Sequence, residues 1–457
     1  MRFIGIDIGT TSICSVVIDT KRSRVLAAIT KQNNSWIKTK NTWEKIQDPD
    51  VILKISTALI CELKDKYKNI QAIGISNQMH GILYVNKEGQ KVSPLFTWQD
   101  TRAGLVFSKN KSYAQHLSEV TGYILSPGFG IATHYYNLKN KIVPNNAAFF
   151  CTIGDYVAMK LAGNKKPVMD YSNAASLGLF DLKKMCFDQK AVKKAGIKKE
   201  LLPKLSSSGK FLGKMSDGAE VYSAIGDNQA SILGSIKNVR DSILVNMGTG
   251  GQISFYSQQF IKCEGLDIRP FPGKGYVCVG ASVCGGKSYA LLKNFFEKTL
   301  KLCGVEVPAE DVLFRKMNNM DYCSTKKQEN ITVKTQFVGT RIDPEKRGSI
   351  SGISLENFTP ECLTVAFLEG MVQELYEFYL KIPQFLRKKA RKIVGSGNGV
   401  RNNVLLCKII SNTFGLRVFI PQGKEEAAIG AAFCAATGKK AFKDFFSCGK
   451  MINYQKK

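Results

Sequence analysis

Thirteen cysteines occur without a single C-x-x-C pair. An odd count with no framework spacing excludes a disulfide scaffold and a structural zinc site, and leaves small buried hydrophobes in a reducing compartment. Histidine is scarce, with His80, His116 and His134 the only three, and none has metal-ligand spacing. No apolar run reaches the roughly 20 residues of a membrane span, and the longest candidates, such as Ala427 to Ala436, are interrupted by Gly430. At the N-terminus, Asp7 breaks the apolar stretch that a signal peptide requires. The expected location is therefore cytoplasmic, with no membrane partner.

Acidic residues are also few, 37 against 65 lysines and arginines, for a net charge of +28. The basic residues are spread along the chain, with modest clusters at Lys193-Lys194, Lys198-Lys199 and Arg387-Lys388-Lys389. None is interleaved with aromatics as a single-strand platform requires, so solvated helix faces outweigh a nucleic-acid site. A positive field of this size favours capture of ATP and sugar phosphates.

What is present is a chain of 457 residues with 44% hydrophobic and 22% charged content, enough for two cores. Phe3-Ile4-Gly5-Ile6, the turn Asp7-Ile8-Gly9-Thr10-Thr11-Ser12 and Ile13-Cys14-Ser15-Val16-Val17-Ile18 read as a β-hairpin. Ser242 to Asn246, the turn Met247-Gly248-Thr249-Gly250-Gly251 and Gln252 to Tyr256 repeat the design. Two such hairpins, one opening each half, predict an internal duplication at domain scale. Helical spacing marks Val51 to Lys66, Gly154 to Leu161, Asp227 to Ile236, Ser288 to Leu302, Glu361 to Tyr379 and Asn403 to Phe414, and Ile70 to Ile75 reads as a buried strand. Strands alternating with helices give α/β layers. The expected domains are 1–236 and 237–457, with the boundary between Asp227 and Ser242.

Two short loops carry the richest mixture of functional groups. Gln78-Met79-His80-Gly81 and Thr97-Trp98-Gln99-Asp100-Thr101-Arg102 combine amide, thioether, imidazole, indole, carboxylate and guanidinium groups. A polyhydroxylated ligand wants that mixture, with apolar faces for C–H surfaces and paired donors and acceptors for hydroxyls. In the first hairpin turn, Gly9 lets backbone N–H groups approach phosphate oxygens, Thr10, Thr11 and Ser12 add hydroxyl donors, and Asp7 suits a partly hydrated Mg²⁺. Val394-Gly395-Ser396-Gly397-Asn398-Gly399, between a strand and a helix, has neither the Walker A nor the G-x-G-x-x-G spacing. Its glycines allow a base or ribose to lie on backbone, with Asn402 meeting an adenine edge from a helix start. Asp227, in Ile225-Gly226-Asp227-Asn228-Gln229, follows an apolar strand at a helix start. That position suits a helix cap and a pre-oriented carboxylate alike; Asp100 is the rival carboxylate.

These motifs, closed by Glu426-Ala427-Ala428-Ile429-Gly430-Ala431-Ala432, occur in an order that resembles the FGGY family of carbohydrate kinases from end to end. The resemblance implies an α/β fold of two ribonuclease H-like (actin/hexokinase-type ATPase) domains with a central cleft that closes over the sugar. It implies ATP and Mg²⁺ as cofactors, a ketose as small-molecule partner and no nucleic acid; a homodimer is left open. Asp227 takes the role of catalytic base. Gln78, Met79, His80, Trp98, Asp100 and Asn228 hold the sugar. Gly9, Thr10, Thr11, Ser12, Gly248 and Thr249 take the phosphates, with Asp7 at the metal. Gly286, Gly395, Gly397, Asn398 and Asn402 border the nucleotide. The terminal primary hydroxyl of sedoheptulose is the first expected acceptor and that of D-xylulose the second. Two departures stand out: Cys14 replaces a lysine common in these kinases, and His134-Tyr135-Tyr136 replaces the usual lysine and tryptophan signature. An actin- or chaperone-type ATPase would use the same hairpins but has no need of the two loops around His80 and Trp98.

Overall fold

In a computed structural model of the chain, the structure describes residues 1–320, 331–340, 343 and 345–455. Strand β1 (Arg2–Ile8) turns at Gly9 into β2 (Ser12–Asp19), and β3 (Arg24–Gln32) continues the antiparallel meander. The chain then crosses through helix α1 (Pro49–Lys66) and returns as β4 (Ile70–Asn77), parallel to β1. Strands β5 (Phe211–Lys214), β6 (Glu220–Tyr222) and β7 (Ile225–Gly226) complete the sheet, in the order β5-β6-β4-β1-β2-β3 with β7 beside β4. Phe3, Ile4, Ile6 and Ile8 are fully buried, which is why β1 lacks the alternation of a half-exposed strand.

The second sheet repeats this plan. Strands β8 (Ser242–Met247) and β9 (Gly251–Ser257) form the hairpin, β10 (Asp267–Pro270) lies at the edge, and β11 (Tyr276–Ser282) pairs antiparallel with β9. Strands β12 (Lys392–Ser396) and β13 (Val418–Phe419) follow in parallel beside β8, giving β10-β11-β9-β8-β12-β13. In both sheets a hairpin and a third antiparallel strand are extended by two parallel strands on the far side of the first. The duplication expected from the two Gly-Thr turns is thus a repeat of strand order.

By packing, the chain divides into two units: Met1–Lys237 with Arg269–Gly275 and Gly423–Ile452, and Asn238–Ile268 with Tyr276–Gln422 and Asn453–Lys457. Two segments from the second half of the sequence are thus built into the first unit. Small side chains explain the second of them. A Cβ on Gly5 would lie 1.8 Å from the Ala428 carbonyl oxygen, and one on Gly74 1.9 Å from that of Ala431. The terminal helix, Glu426–Gly438, therefore rests backbone to backbone on β1 and β4, which Glu-Ala-Ala-Ile-Gly-Ala-Ala permits and larger residues would not. Its other face meets the helix Asp227–Ser235 equally closely, since a Cβ on Gly430 would come within 1.9 Å of the Ala230 oxygen. No described helix is long and apolar enough to cross a membrane.

Candidate active site

In the first unit the turn after β1 is held by its own backbone and by one amide. The Gly9 N–H donates to the Ser12 carbonyl at 3.0 Å, and Asn33 Nδ2 donates to the Gly9 carbonyl at 2.8 Å. Thr10 joins this turn to the two loops. Its hydroxyl donates to Gln78 Oε1 (3.0 Å) and accepts from Trp98 Nε1 (2.9 Å), while Gln78 Nε2 donates to Gln47 Oε1 (2.9 Å). Thr10, assigned from sequence to phosphate, thereby touches two residues assigned to sugar. Trp98 is 47% exposed although its indole N–H is bonded.

His80 has a backbone φ of 73°, a left-handed conformation unusual for a non-glycine residue. Its N–H donates to Ser176 Oγ (3.1 Å), its ring stacks on Phe129 with centroids 4.7 Å apart, and Nδ1 lies 2.6 Å from the Ser176 carbonyl oxygen. A carbonyl only accepts, so Nδ1 carries the proton and, in the neutral ring, Nε2 is the acceptor. Met79 is buried beside it.

Asp227 is the first residue of α2 (Asp227–Ser235), with Gly226 as N-cap. It is partly exposed, yet closely surrounded. Burial, then the charge of Asp7, pushes its carboxyl up to about 7, against the opposing pull of the Arg269 guanidinium and the Asn228 N–H. Asp7 faces the same environment from β1: burial raises it to about 6, the Ser76 hydroxyl bond at 2.7 Å opposes that, and Glu425 adds to it. These are two acids whose surroundings favour proton uptake near neutrality, an arrangement common at sites of acid–base chemistry. Asp7, with neighbouring hydroxyls, is a carboxylate of the kind that would hold a partly hydrated magnesium ion, which would supply positive charge there. Among the described residues there is no group of three or more His, Cys, Asp or Glu suited to hold a metal unaided. Cys14 pairs with Asp7 across the hairpin, and burial pushes its thiol well above the usual range.

Two sequence assignments change. Asp100 has no exposed surface. Its Oδ1 accepts from the Arg102 backbone N–H (3.1 Å) and Nε (2.7 Å), and its Oδ2 from Arg102 Nη2 (3.0 Å) and the Lys45 N–H (3.0 Å). With both oxygens so engaged, the buried Asp100 fixes the Trp98 loop. Asn402 is not at a helix start. It ends the short helix Gly397–Arg401, and Asn403 caps the next, Val404–Phe414, through its bond from the Leu406 N–H (2.8 Å). His134 is a core residue, its Nδ1 2.7 Å from the Tyr84 hydroxyl and its pKa lowered by burial to about 4.

In the second unit, Gly248 and Thr249 are exposed at the β8–β9 turn, which docks on the start of the helix Gly286–Leu302. The Gly286 N–H donates to the Gly248 carbonyl and the Lys287 N–H to that of Thr249, both at 3.0 Å. A Cβ on Gly286 would lie 2.3 Å from the Gly248 oxygen, so this contact needs glycine. Gly397, at φ +79°, turns the chain out of β12 over Met247, and Asn398 is exposed beside it. Gly395 is buried within β12, packed on Val400. The Ser396 hydroxyl is buried with no hydrogen-bond partner among the described residues.

Sequence reasoning missed Arg269. Nη1 of this buried side chain lies 3.9 Å from Met79 Sδ, and the segment is tied to α2 by Gln229 Nε2 donating to the Pro270 carbonyl at 3.1 Å. Its only sequence signal is an arginine inside Ile268-Arg269-Pro270-Phe271-Pro272. Also missed were Ser172, Asn173 and Ser176, behind the site.

Duplicated strand order, paired glycine turns and a carboxylate at a helix start beside a second acid define an ATPase-type phosphotransferase architecture. Residues 2–234 match the N-terminal domain, and residues 269–438 the C-terminal domain, of the FGGY family of carbohydrate kinases. The chain belongs to that family and is a sugar kinase. It is 27% identical to the sedoheptulokinase of Mus musculus, over 94% of this chain and 96% of that protein. It is 24% identical to the xylulose kinase of Lactococcus lactis, over 99% and 91%. A solved xylulose kinase from Lactobacillus acidophilus superposes with a TM-score of 0.83 at 22% identity, covering 100% of this chain and 93% of the other.

Proposed function

We propose that this protein transfers the γ-phosphoryl group of ATP to the terminal primary hydroxyl of a ketose, sedoheptulose before D-xylulose. The observation that carries the mechanism is Asp227: an acid at the start of a helix, beside Asp7, with its carboxyl held near 7. In this reading it accepts the hydroxyl proton as the bond to phosphorus forms. Phosphoryl transfer requires alignment and charge neutralisation more than covalent help. Mg²⁺ held at Asp7 would supply part of that neutralisation. His80 Nε2 and Gln78 read hydroxyls, Met79 and the half-exposed Trp98 take C–H surfaces, and Asn228 adds an amide at the base. Asp100 acts through Arg102 to hold the Trp98 loop.

Full-length likeness to sedoheptulokinase favours the seven-carbon ketose; likeness to xylulose kinase keeps D-xylulose as the second reading. A coupled ADP-release assay over sedoheptulose, D-xylulose, glycerol and no acceptor tests this directly. The highest kcat/KM is expected with sedoheptulose. Highest kcat/KM with another acceptor, or equal ADP release without any, would overturn the assignment.

A base works only when ionised, so kcat/KM should fall about tenfold per pH unit below pH 7, where Asp227 takes up a proton. The Arg269 charge counters that uptake. Arg269→Met should therefore move the acid limb upward by about one unit at constant ionic strength. A limb that stays in place would remove Arg269 from the account.

A further inference from the structure

The short helix Tyr171–Leu177 bonds the chain at both of the loops on which the proposed reaction depends, at Gly226 just before Asp227 and at His80. Ser172 Oγ accepts from the Gly226 N–H at 2.9 Å, at the residue that begins the Asp227 turn, and donates to Asp170 Oδ1 at 2.5 Å. Asp170 is fully buried, and a second hydroxyl, Ser208 Oγ at 2.7 Å, secures its other oxygen. One turn further along, Ser176 Oγ accepts from the His80 N–H and its carbonyl takes the ring Nδ1. Between the two, Asn173 Nδ2 donates to Asn77 Oδ1 (3.0 Å) at the end of β4 and to the Ala224 carbonyl (3.2 Å) just before β7.

Ser172 and Ser176 are four residues apart, on one helical face. Each bonds the main chain of a different functional loop, and Ser176 bonds the one residue of its loop in a strained left-handed conformation. Such conformations persist only where the surroundings over-determine them. Buried, satisfied hydroxyl and carboxylate networks of this kind fix geometry more than they add stability.

We propose that the helix Tyr171–Leu177 is a positioning element with divided labour: Ser172, anchored on Asp170, sets the Asp227 turn for proton transfer, and Ser176 sets His80 for reading the sugar. The inference rests on Asp227 being the base and His80 a sugar contact.

The division gives a test that general destabilisation would not reproduce. Ser172→Ala should lower kcat roughly tenfold or more, because small misplacements of a reacting group are costly, and leave the ketose KM within about twofold. Ser176→Ala should raise the ketose KM roughly fivefold, the effect of one lost hydrogen bond, with kcat kept within about twofold. Ser176→Thr, which retains the hydroxyl, should restore KM. Thermal melts establish that each variant is folded. If Ser172→Ala does not fold, Asp170→Asn keeps the side-chain volume and weakens the anchor, and it should lower kcat with KM unchanged. Changes in the same parameter from both serines, or no change, would overturn the proposal. Asp227→Asn measured alongside separates the two levels: full activity in that variant refutes the base itself, whereas its loss with a silent Ser172→Ala refutes only the positioning.

Discussion

Asp227→Asn is expected to lower kcat by about 10² to 10⁴, the usual contribution of a positioned general base, while ATP and ketose still bind. The same substitution should make the protein more stable at alkaline pH. The carboxyl is raised in the folded state, so between its ordinary range near 4 and about 7 the folded chain holds a proton that the unfolded chain releases. Stability therefore falls as pH rises through that window, and above it burial and the neighbouring Asp7 charge act fully against folding. Asparagine removes the charge and nearly conserves volume, so Tm at pH 8 should rise by about 2 °C or more, with little difference at pH 4. Activity lost together with stability would point to a structural carboxylate. Activity lost with stability gained is the signature of a residue kept for function at a cost to the fold.

Gly430→Val should be the most damaging change outside the site. Its Cβ would fall 1.9 Å from the Ala230 carbonyl oxygen, a backbone atom that cannot move without separating the helix Glu426–Gly438 from α2. Overpacking against backbone at a helix crossing exceeds the usual 1–3 kcal/mol, and a loss above about 4 kcal/mol is expected. The readout is soluble yield together with the thermal transition. A cooperative melt within about 2 °C of the parent protein would mean that the two helices do not cross as described. Because α2 carries Asp227, activity should vanish with the fold.

Much of this was legible from local pattern. The hairpins follow from apolar runs flanking Gly-Thr turns, and the helix expected over Val51 to Lys66 forms over Pro49–Lys66, with Asp48 as its cap. The closing Glu-Ala-Ala-Ile-Gly-Ala-Ala stretch was recognised as a family motif, but its physical reason lies in backbone contacts with β1, β4 and α2, far away in sequence. Asp100 shows the limit of composition as a guide. A carboxylate in a polar loop reads as a sugar ligand, whereas in the fold Arg102, two residues on, occupies it. Arg269 and Ser172 were invisible for the converse reason. Each acts across a long stretch of chain, and nothing in Arg-Pro-Phe-Pro or Tyr-Ser-Asn-Ala names its partner.

The central claim is most directly tested by crystallising the protein with sedoheptulose and a non-hydrolysable ATP analogue. The account predicts an Asp227 carboxyl oxygen within hydrogen-bond distance, about 2.6–3.2 Å, of the terminal hydroxyl that receives the phosphoryl group. A terminal hydroxyl bonded instead to another acid, with Asp227 directed away from it, would contradict it.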